Sequence, residues 1–318
     1  MGKISQKKET FSQINDVISE NIIYLLSVNS RLSVSDIAHK LSVSRRLVEN
    51  RIKKLYYSKA IKSLLITNYK NLIKATIFIK LSKFDKSVVN SINKMKQLVK
   101  IKETLGLYDL SLLLVTENQD ELDKLVYYIN QLFHESIQNM DIIIHDTEDT
   151  LGYKSFCKNP SLLEDYELLC YDEKYALSES DRWVIQILKK SPNISYKSLI
   201  KKTDLSYKSL RSIINNLIQK QIIRFSIDPD YDILGLEFHN VLVKINLAMV
   251  GAFEKNIISN PRVHWMKKGA GRWDYVLSIA SRNIPEFVEI TREIRTTNKH
   301  ILFDFSSLIS KINVMRKF

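Results

Sequence analysis

Glycine is scarce in this sequence, with 7 in 318 residues. The glycine loops that cradle phosphates, GxGxxG and GxxxxGK[ST], are absent, and with them the usual signature of a nucleotide-binding enzyme. Cysteine is scarcer still. Cys157 and Cys170 are too few for a disulfide framework and lack metal-ligand spacing. No apolar run approaches the roughly 18 residues of a membrane span. The first residues, MGKISQKKETFSQ, have no apolar core of the kind a signal peptide needs. The expectation is a cytoplasmic chain with no membrane partner. The six histidines, His39, His134, His145, His239, His264 and His300, show no i, i+4 pair and accompany no nucleophile motif. On these absences the sequence predicts no metal, no cofactor and no enzymatic activity.

What is abundant is positive charge. There are 48 Lys and Arg against 35 Asp and Glu, a net of +13. Hydrophobic residues at 45% and charged residues at 26% describe an ordinary globular chain, long enough for two or three domains. The charge is focused. Between Lys40 and Lys62 stand Lys40, Arg45, Arg46, Arg51, Lys53, Lys54, Lys59 and Lys62, with Glu49 the lone acid. Between Lys189 and Arg224 stand Lys189, Lys190, Lys197, Lys201, Lys202, Lys208, Arg211, Lys220 and Arg224, with Asp204 the lone acid. Such windows are the electrostatic footprint of a nucleic-acid surface, although a solvated lysine face looks similar.

The two windows lie in matching contexts. Ser33 matches Ser195, Ser44 matches Ser206, Ile52 matches Ile214 and Leu55 matches Leu217, each 162 residues apart. Gly106-Leu107-Tyr108-Asp109 matches Gly271-Arg272-Trp273-Asp274 at a separation of 165. A nearly constant offset predicts one unit used twice. The acidic stretch Thr150–Ser180 between the copies reads as a linker with one helical turn at most.

Each window predicts three helices. Val17–Val28 carries an apolar stripe, and Arg182–Lys190 is its counterpart. Ser33 and Ser195 are placed to cap a short second helix. After three or four residues Ser44 or Ser206 opens a third. Its apolar residues recur at Val48, Ile52 and Leu55, or at Leu210, Ile214 and Leu217, which makes one buried stripe. Outside that stripe fall Ser44, Arg45, Arg46, Glu49, Asn50 and Lys53 in the first copy. In the second they are Ser206, Tyr207, Lys208, Arg211, Ser212 and Asn215. Two capped helices joined by a tight turn, the second with a long-armed polar face, describe a helix-turn-helix. Such a helix fits the major groove of double-stranded DNA. Arg and Asn there tell G from A, and Ser and Lys hold phosphate. The twelve residues are the candidate DNA readers.

Beyond each third helix the pattern turns to strands. Ile61–Thr67 and Ile222–Ile227 are each expected to begin a small wing. Lys74–Ser82, a helix over Val88–Val99, a strand near Lys100–Thr104, Asp109–Thr116, a helix over Asp120–Phe133 and Met140–Asp146 follow in the first copy. Asn240–Met249, Gly251–Ser259, a strand near Val263–Lys267, Asp274–Ser281, Ile284–Ile294 and His300–Ser307 follow in the second. The order β-α-β-β-α-β suggests a four-stranded antiparallel sheet with both helices on one face. The expected class is α+β. Its domains are a winged helix-turn-helix over 1–66, a ferredoxin-like αβ-sandwich over 67–149, a linker over 150–178, a second winged helix-turn-helix over 179–236 and a second sandwich over 237–318.

These residues resemble the Lrp/AsnC (feast/famine) family of archaeal and bacterial transcription regulators. Ser44–Leu55 and Ser206–Leu217 are similar to that family's recognition helix. The first copy keeps the family's Arg before Ile, as Arg51, where the second has Ile213. The stretch from Ile227 to Gly235 resembles the family's connector, and the first copy lacks its Pro and Gly. Gly106 with Asp109, and Gly271 with Asp274, resemble the glycine–aspartate turn of the effector domain. The resemblance implies a transcription regulator in which one chain forms an internal pseudo-dimer, able to associate further. It also implies a small effector, an amino acid or similar, near Gly106, Asp109, Gly271 and Asp274. Turn chemistry alone also explains a Gly-x-x-Asp. Two alternatives remain open. Siroheme decarboxylases share this fold and hold a carboxylate-rich tetrapyrrole with basic residues and histidine. Val263-His264-Trp265 and Arg272-Trp273 faintly resemble such a site. The other alternative is an architectural protein that binds DNA without sequence preference.

Overall fold

The structure, a computed structural model, describes residues 16–67, 72–84, 86–164 and 176–315. They form two compact units, each drawing on both halves of the chain. The first, helical unit takes the described residues up to 67 and those from 149 to 237. The second, a barrel, takes 72–148 and 238–315. The chain opens in the helical unit with α1 (Val17–Val28), α2 (Val34–Leu41), α3 (Arg45–Tyr57) and β1 (Ile61–Thr67). In the barrel it forms β2 (Ile73–Leu81), α4 (Lys86–Ile92), β3 (Leu98–Leu105), β4 (Leu110–Thr116), α5 (Gln119–Phe133) and β5 (Ile137–Thr150). The helical unit resumes with two 3-10 turns, α6 (Glu179–Lys190), α7 (Tyr196–Thr203), α8 (Tyr207–Gln219) and β6 (Ile223–Pro229). The barrel ends the chain with β7 (Glu237–Ile245), α9 (Val250–Ser259), β8 (Val263–Gly271), β9 (Tyr275–Ser281), α10 (Ile284–Thr297) and β10 (Leu302–Met315).

Short polar side chains begin the helices of the helical unit. Asp16 caps α1, and Ser33, Ser44, Ser178, Ser195 and Ser206 cap α2, α3, α6, α7 and α8. Each accepts a hydrogen bond from a backbone N–H of the first turn, which has no partner inside the helix. Ser33 and Ser178 form full capping boxes with Asp36 and Asp181. Beneath the helices Ile37, Val48 and Leu55 are buried on one side, and Val184, Leu199, Leu210, Ile214 and Leu217 on the other.

The expected wings take another form. β1 and β6 pair with each other, antiparallel, from Ile61↔Pro229 to Thr67↔Ile223. Each strand buries apolar residues, Ile61, Leu65 and Ile66 in β1 and Ile223, Phe225 and Ile227 in β6. An unpaired strand so buried would strand its backbone N–H and C=O groups, and mutual pairing satisfies them. The middle pair is Leu64↔Ser226, two residues 162 apart. The pairing is therefore centred on positions related by the offset of the flanking helices.

The segment expected to link the halves is packed in its described part. Leu151, Tyr153, Phe156 and Leu162 are buried. Ser27 Oγ donates to the Gly152 carbonyl at 2.8 Å, and Asn21 Oδ1 accepts from the Lys158 backbone at 2.8 Å. The Tyr24 hydroxyl accepts from the Glu164 backbone at 3.0 Å. Residues 165–175, and Cys170 with them, lie outside the described residues.

The barrel contains the expected β-α-β-β-α-β order twice, but its strands make one closed sheet, β10-β3-β4-β2-β5-β8-β9-β7. Two separate sheets are corrected to one because β5 and β10 run on well past their expected ends. Leu302–Leu308 of β10 pairs with β7, and Ile309–Met315 pairs with β3. β5 pairs with β2 and borders β8 on its other side. Closure leaves no free sheet edge. On the outside, α5 packs Leu122, Ile129 and Phe133 against Ile77, Ile79, Leu110 and Leu112. Side chains alternate along a strand, so the residues between these point inward. Phe78, Tyr108, Ile143, Leu242, Trp273, Val276 and Leu308 form that inner cluster.

Candidate functional site

The polar faces of α3 and α8 are open to solvent. Ser44, Arg45, Arg46, Glu49, Asn50 and Lys53 are all exposed, as are Ser206, Tyr207, Lys208, Arg211, Ser212 and Asn215. The buried stripes described above fix this orientation, since a helix with one apolar side must turn the other outward. Lys53 Nζ meets Glu49 Oε1 at 2.8 Å, one turn apart on the same face. That contact, with Arg45 nearby, holds the Glu49 carboxyl below its ordinary range. Arg51 does not belong to this face: it pairs with Asp16, the cap of α1, at 3.1 Å. Arg31 was not singled out by the sequence, and it too is structural. It donates to the carbonyls of Pro192 and Ile194 at 2.9 and 3.2 Å and lies 4.2 Å from the Phe225 ring centroid. An Arg in a loop carries no local signal that it will bridge residues about 160 positions away.

The two Gly-x-x-Asp turns in the barrel have the same construction. Asp109 accepts from Lys80 Nζ at 3.0 Å and from the Leu81 backbone at 2.8 Å. Asp274 accepts from Lys244 Nζ at 2.8 Å and from the Ile245 backbone at 2.9 Å. Both carboxylates are thus engaged by a neighbouring strand of their own half. Gly106 and Gly271 have φ of +136° and +157°. A Cβ there would stand 2.7 Å from the Ser307 carbonyl oxygen and 2.2 Å from that of Ile142. Each glycine lets its strand approach the long strand of the other half. The cations around Gly271 are paired, Lys268 with Glu254 and Arg272 with Asp141, each at 3.1 Å.

The residues of the faint tetrapyrrole resemblance are inside the protein. His264 is buried, and burial, then the charge of Arg262, pulls its imidazole down to about 3, so it is neutral at ordinary pH. His239 accepts from the Ser310 backbone at 3.1 Å and tilts against Phe287. Trp273 donates to the Tyr108 hydroxyl, which bonds Asp141 in turn. Burial and that carboxylate push the Tyr108 phenol up to about 12. Among the described residues no cluster of His, Cys, Asp and Glu could hold a metal ion, and no helix is long and apolar enough to cross a membrane.

Comparison with known proteins places these features in two settings. The family described as winged helix-turn-helix DNA-binding matches residues 15–56. No curated protein matches the chain. Among solved structures, the siroheme decarboxylase NirDL is similar over 95% of this chain and 94% of its own, with a TM-score of 0.58 and 12% identity. That protein has also been solved with an iron-uroporphyrin III analogue. Escherichia coli AsnC is similar over 41% of this chain and 90% of its own, at 18% identity and a TM-score of 0.33. Bacillus subtilis LrpC is similar over 45% and 99%, at 21% identity and a TM-score of 0.36. The chain thus has an α+β fold with a winged helix-turn-helix of DNA-binding type near its N-terminus. The expectation of a protein without enzymatic activity is overturned. A fold known to carry an enzyme spans nearly the whole chain, so missing nucleophile and metal motifs do not argue against catalysis.

Proposed function

We propose that this protein binds double-stranded DNA as a regulator of the Lrp/AsnC type, with α3 and α8 as two readers on one chain. The observation that carries this reading is the coincidence of the DNA-binding family match with the exposed cationic face of α3. α8 offers a second such face, with the same serine cap and the same buried stripe. Duplication within the chain is supported by the two centred pairings, β1 with β6 and the reciprocal seams of the barrel. The readers differ in their outward residues, Arg45, Arg46 and Asn50 against Tyr207, Lys208 and Ser212. The two half-sites would therefore differ in sequence. Selection of bound sequences from a random DNA pool tests this, and an asymmetric site is expected. Binding that random DNA competes away equally well at every salt concentration would identify an architectural protein instead.

A second reading has its own support. The likeness to NirDL extends over both units, which favours a siroheme-decarboxylase-like enzyme acting on a carboxylate-rich tetrapyrrole. Mixing the protein with siroheme under anaerobic conditions tests it. A shifted absorbance band with release of carbon dioxide supports the enzyme, and an unchanged spectrum removes it. The two readings concern different surfaces, so each can be tested without the other.

A further inference from the structure

Inside the barrel lies a group of cations that neither reading has used. Lys102 is 5% exposed, a rare burial for lysine. Its neighbour Ile101 packs outward against the helices, which turns Lys102 to the interior. Its ammonium donates to Asn240 Oδ1 at 3.2 Å and stands 4.6 Å from the Phe238 ring centroid. The same Asn240 oxygen accepts from Ser278 Oγ at 3.0 Å. The charged groups acting on Lys102 are Lys100 and Lys267, both cations, and no acid is among them. Burial first, and these two lysines next, drive its amine well below the ordinary lysine range.

Lys102 and Lys267 occupy the same place in the two halves, each four residues before the glycine of a Gly-x-x-Asp turn. Lys267 pairs across the sheet with Val276, a member of the inner cluster, so it shares the inward face. Lys100 and Lys267 are half-buried, so the group extends from the interior toward solvent. A buried ammonium beside like charges is costly unless an anion joins it. We propose that this cluster is a binding site for a carboxylate-bearing anion, held by Lys102 and Lys267 with Asn240, Ser278 and the Phe238 ring beside it. The paired lysines suit a carboxylate, whose oxygens accept from ammonium groups on both sides. The aromatic ring suits an apolar portion of the same molecule. The site requires neither DNA binding nor decarboxylation, and goes beyond both readings.

Thermal unfolding of the full chain, with and without Lys102→Met, tests the proposal at constant ionic strength. The probes are glutamate, citrate, uroporphyrin III and, for contrast, inorganic phosphate and chloride. A saturable rise in Tm is expected for at least one carboxylate probe, with binding about tenfold weaker or more in the variant. Response to glutamate or citrate would make the source a small acid, and response to uroporphyrin III a tetrapyrrole; either supports the site. Lys102→Met without ligand should melt no lower than the parent, because it removes an unmatched buried charge. If it melts lower, Lys102→Gln replaces it in the same titration. The proposal is overturned if no carboxylate probe gives a saturable shift, if parent and variant shift alike, or if phosphate and chloride act as strongly. DNA retention by the same variant, measured in parallel, separates loss of this site from failure of the regulator reading.

Discussion

Trp273 donates its indole N–H to the phenolic oxygen of Tyr108 at 3.1 Å, and the two residues hold the same position in their Gly-x-x-Asp turns. Each is the residue just before the aspartate. Equivalent residues of a two-fold arrangement meet at its axis, and this pair meets inside the barrel. The bond is buried and continues to Asp141 and Arg272. Tyr108→Phe would leave the indole N–H and the Asp141 carboxylate short of a partner. The expected loss is about 1–3 kcal/mol of stability, read from urea unfolding. A double-mutant cycle with Trp273→Phe should return a coupling of about 0.5–3 kcal/mol. Strict additivity of the two substitutions would place the stability elsewhere.

The glycines of the barrel are not alike. A Cβ on Gly269 or Gly271 would stand 2.2 Å from a carbonyl oxygen of β5, while one on Gly251, early in α9, meets nothing within 4 Å. Gly269→Ala and Gly271→Ala should each cost about 1–3 kcal/mol, as overpacking does. Gly251→Ala should leave stability unchanged or raise it by up to about 1 kcal/mol. Thermal unfolding of the three variants would show whether the seam between β5 and β8 is as tight as described.

Much of this architecture was legible where the signal is local. α1 spans the residues its apolar stripe marked, and the serines at 33, 44, 195 and 206 cap the helices they were expected to cap. β4 begins one residue from its expected start. The reading weakened wherever a partner lies far away in sequence. The helix expected over Val88–Val99 ends at Ile92, because Leu98 already opens a strand that pairs with β4 and β10. β10 was expected to stop at Ser307, since the polar alternation beyond it has meaning only beside β3. Lys102 drew no attention for the same reason. A lone lysine in an alternating strand reads as solvated until the sheet closes over it.

The reader helices make a direct prediction. Arg45→Ala and Arg211→Ala should each weaken binding to a selected site by about 1–3 kcal/mol if the side chain reads a base. Competition against random DNA distinguishes the roles. A loss confined to the selected site indicates base reading, and an equal loss on all sequences indicates phosphate contact with a shallower salt dependence.

Stability should fall in mild acid through His264. Its imidazole titrates near 3 in the folded chain, against about 6.5 in an unfolded one. Below pH 6.5 the unfolded chain takes up a proton that the folded chain refuses, so acid favours unfolding. The contribution is fully present above 6.5 and declines as pH falls toward 3, by on the order of 1 kcal/mol per pH unit. Urea midpoints between pH 7 and pH 4 should therefore drop more steeply in the parent than in His264→Gln. Parallel slopes would mean that the ring becomes protonated without unfolding.

The two long strands, β5 and β10, have a consequence for concentration. Where such a ring of strands is assembled from separate polypeptides, dilution takes it apart and empties whatever it encloses. Here one polypeptide supplies every stave, so the enclosure and its lysines persist in a cell that holds only a few molecules.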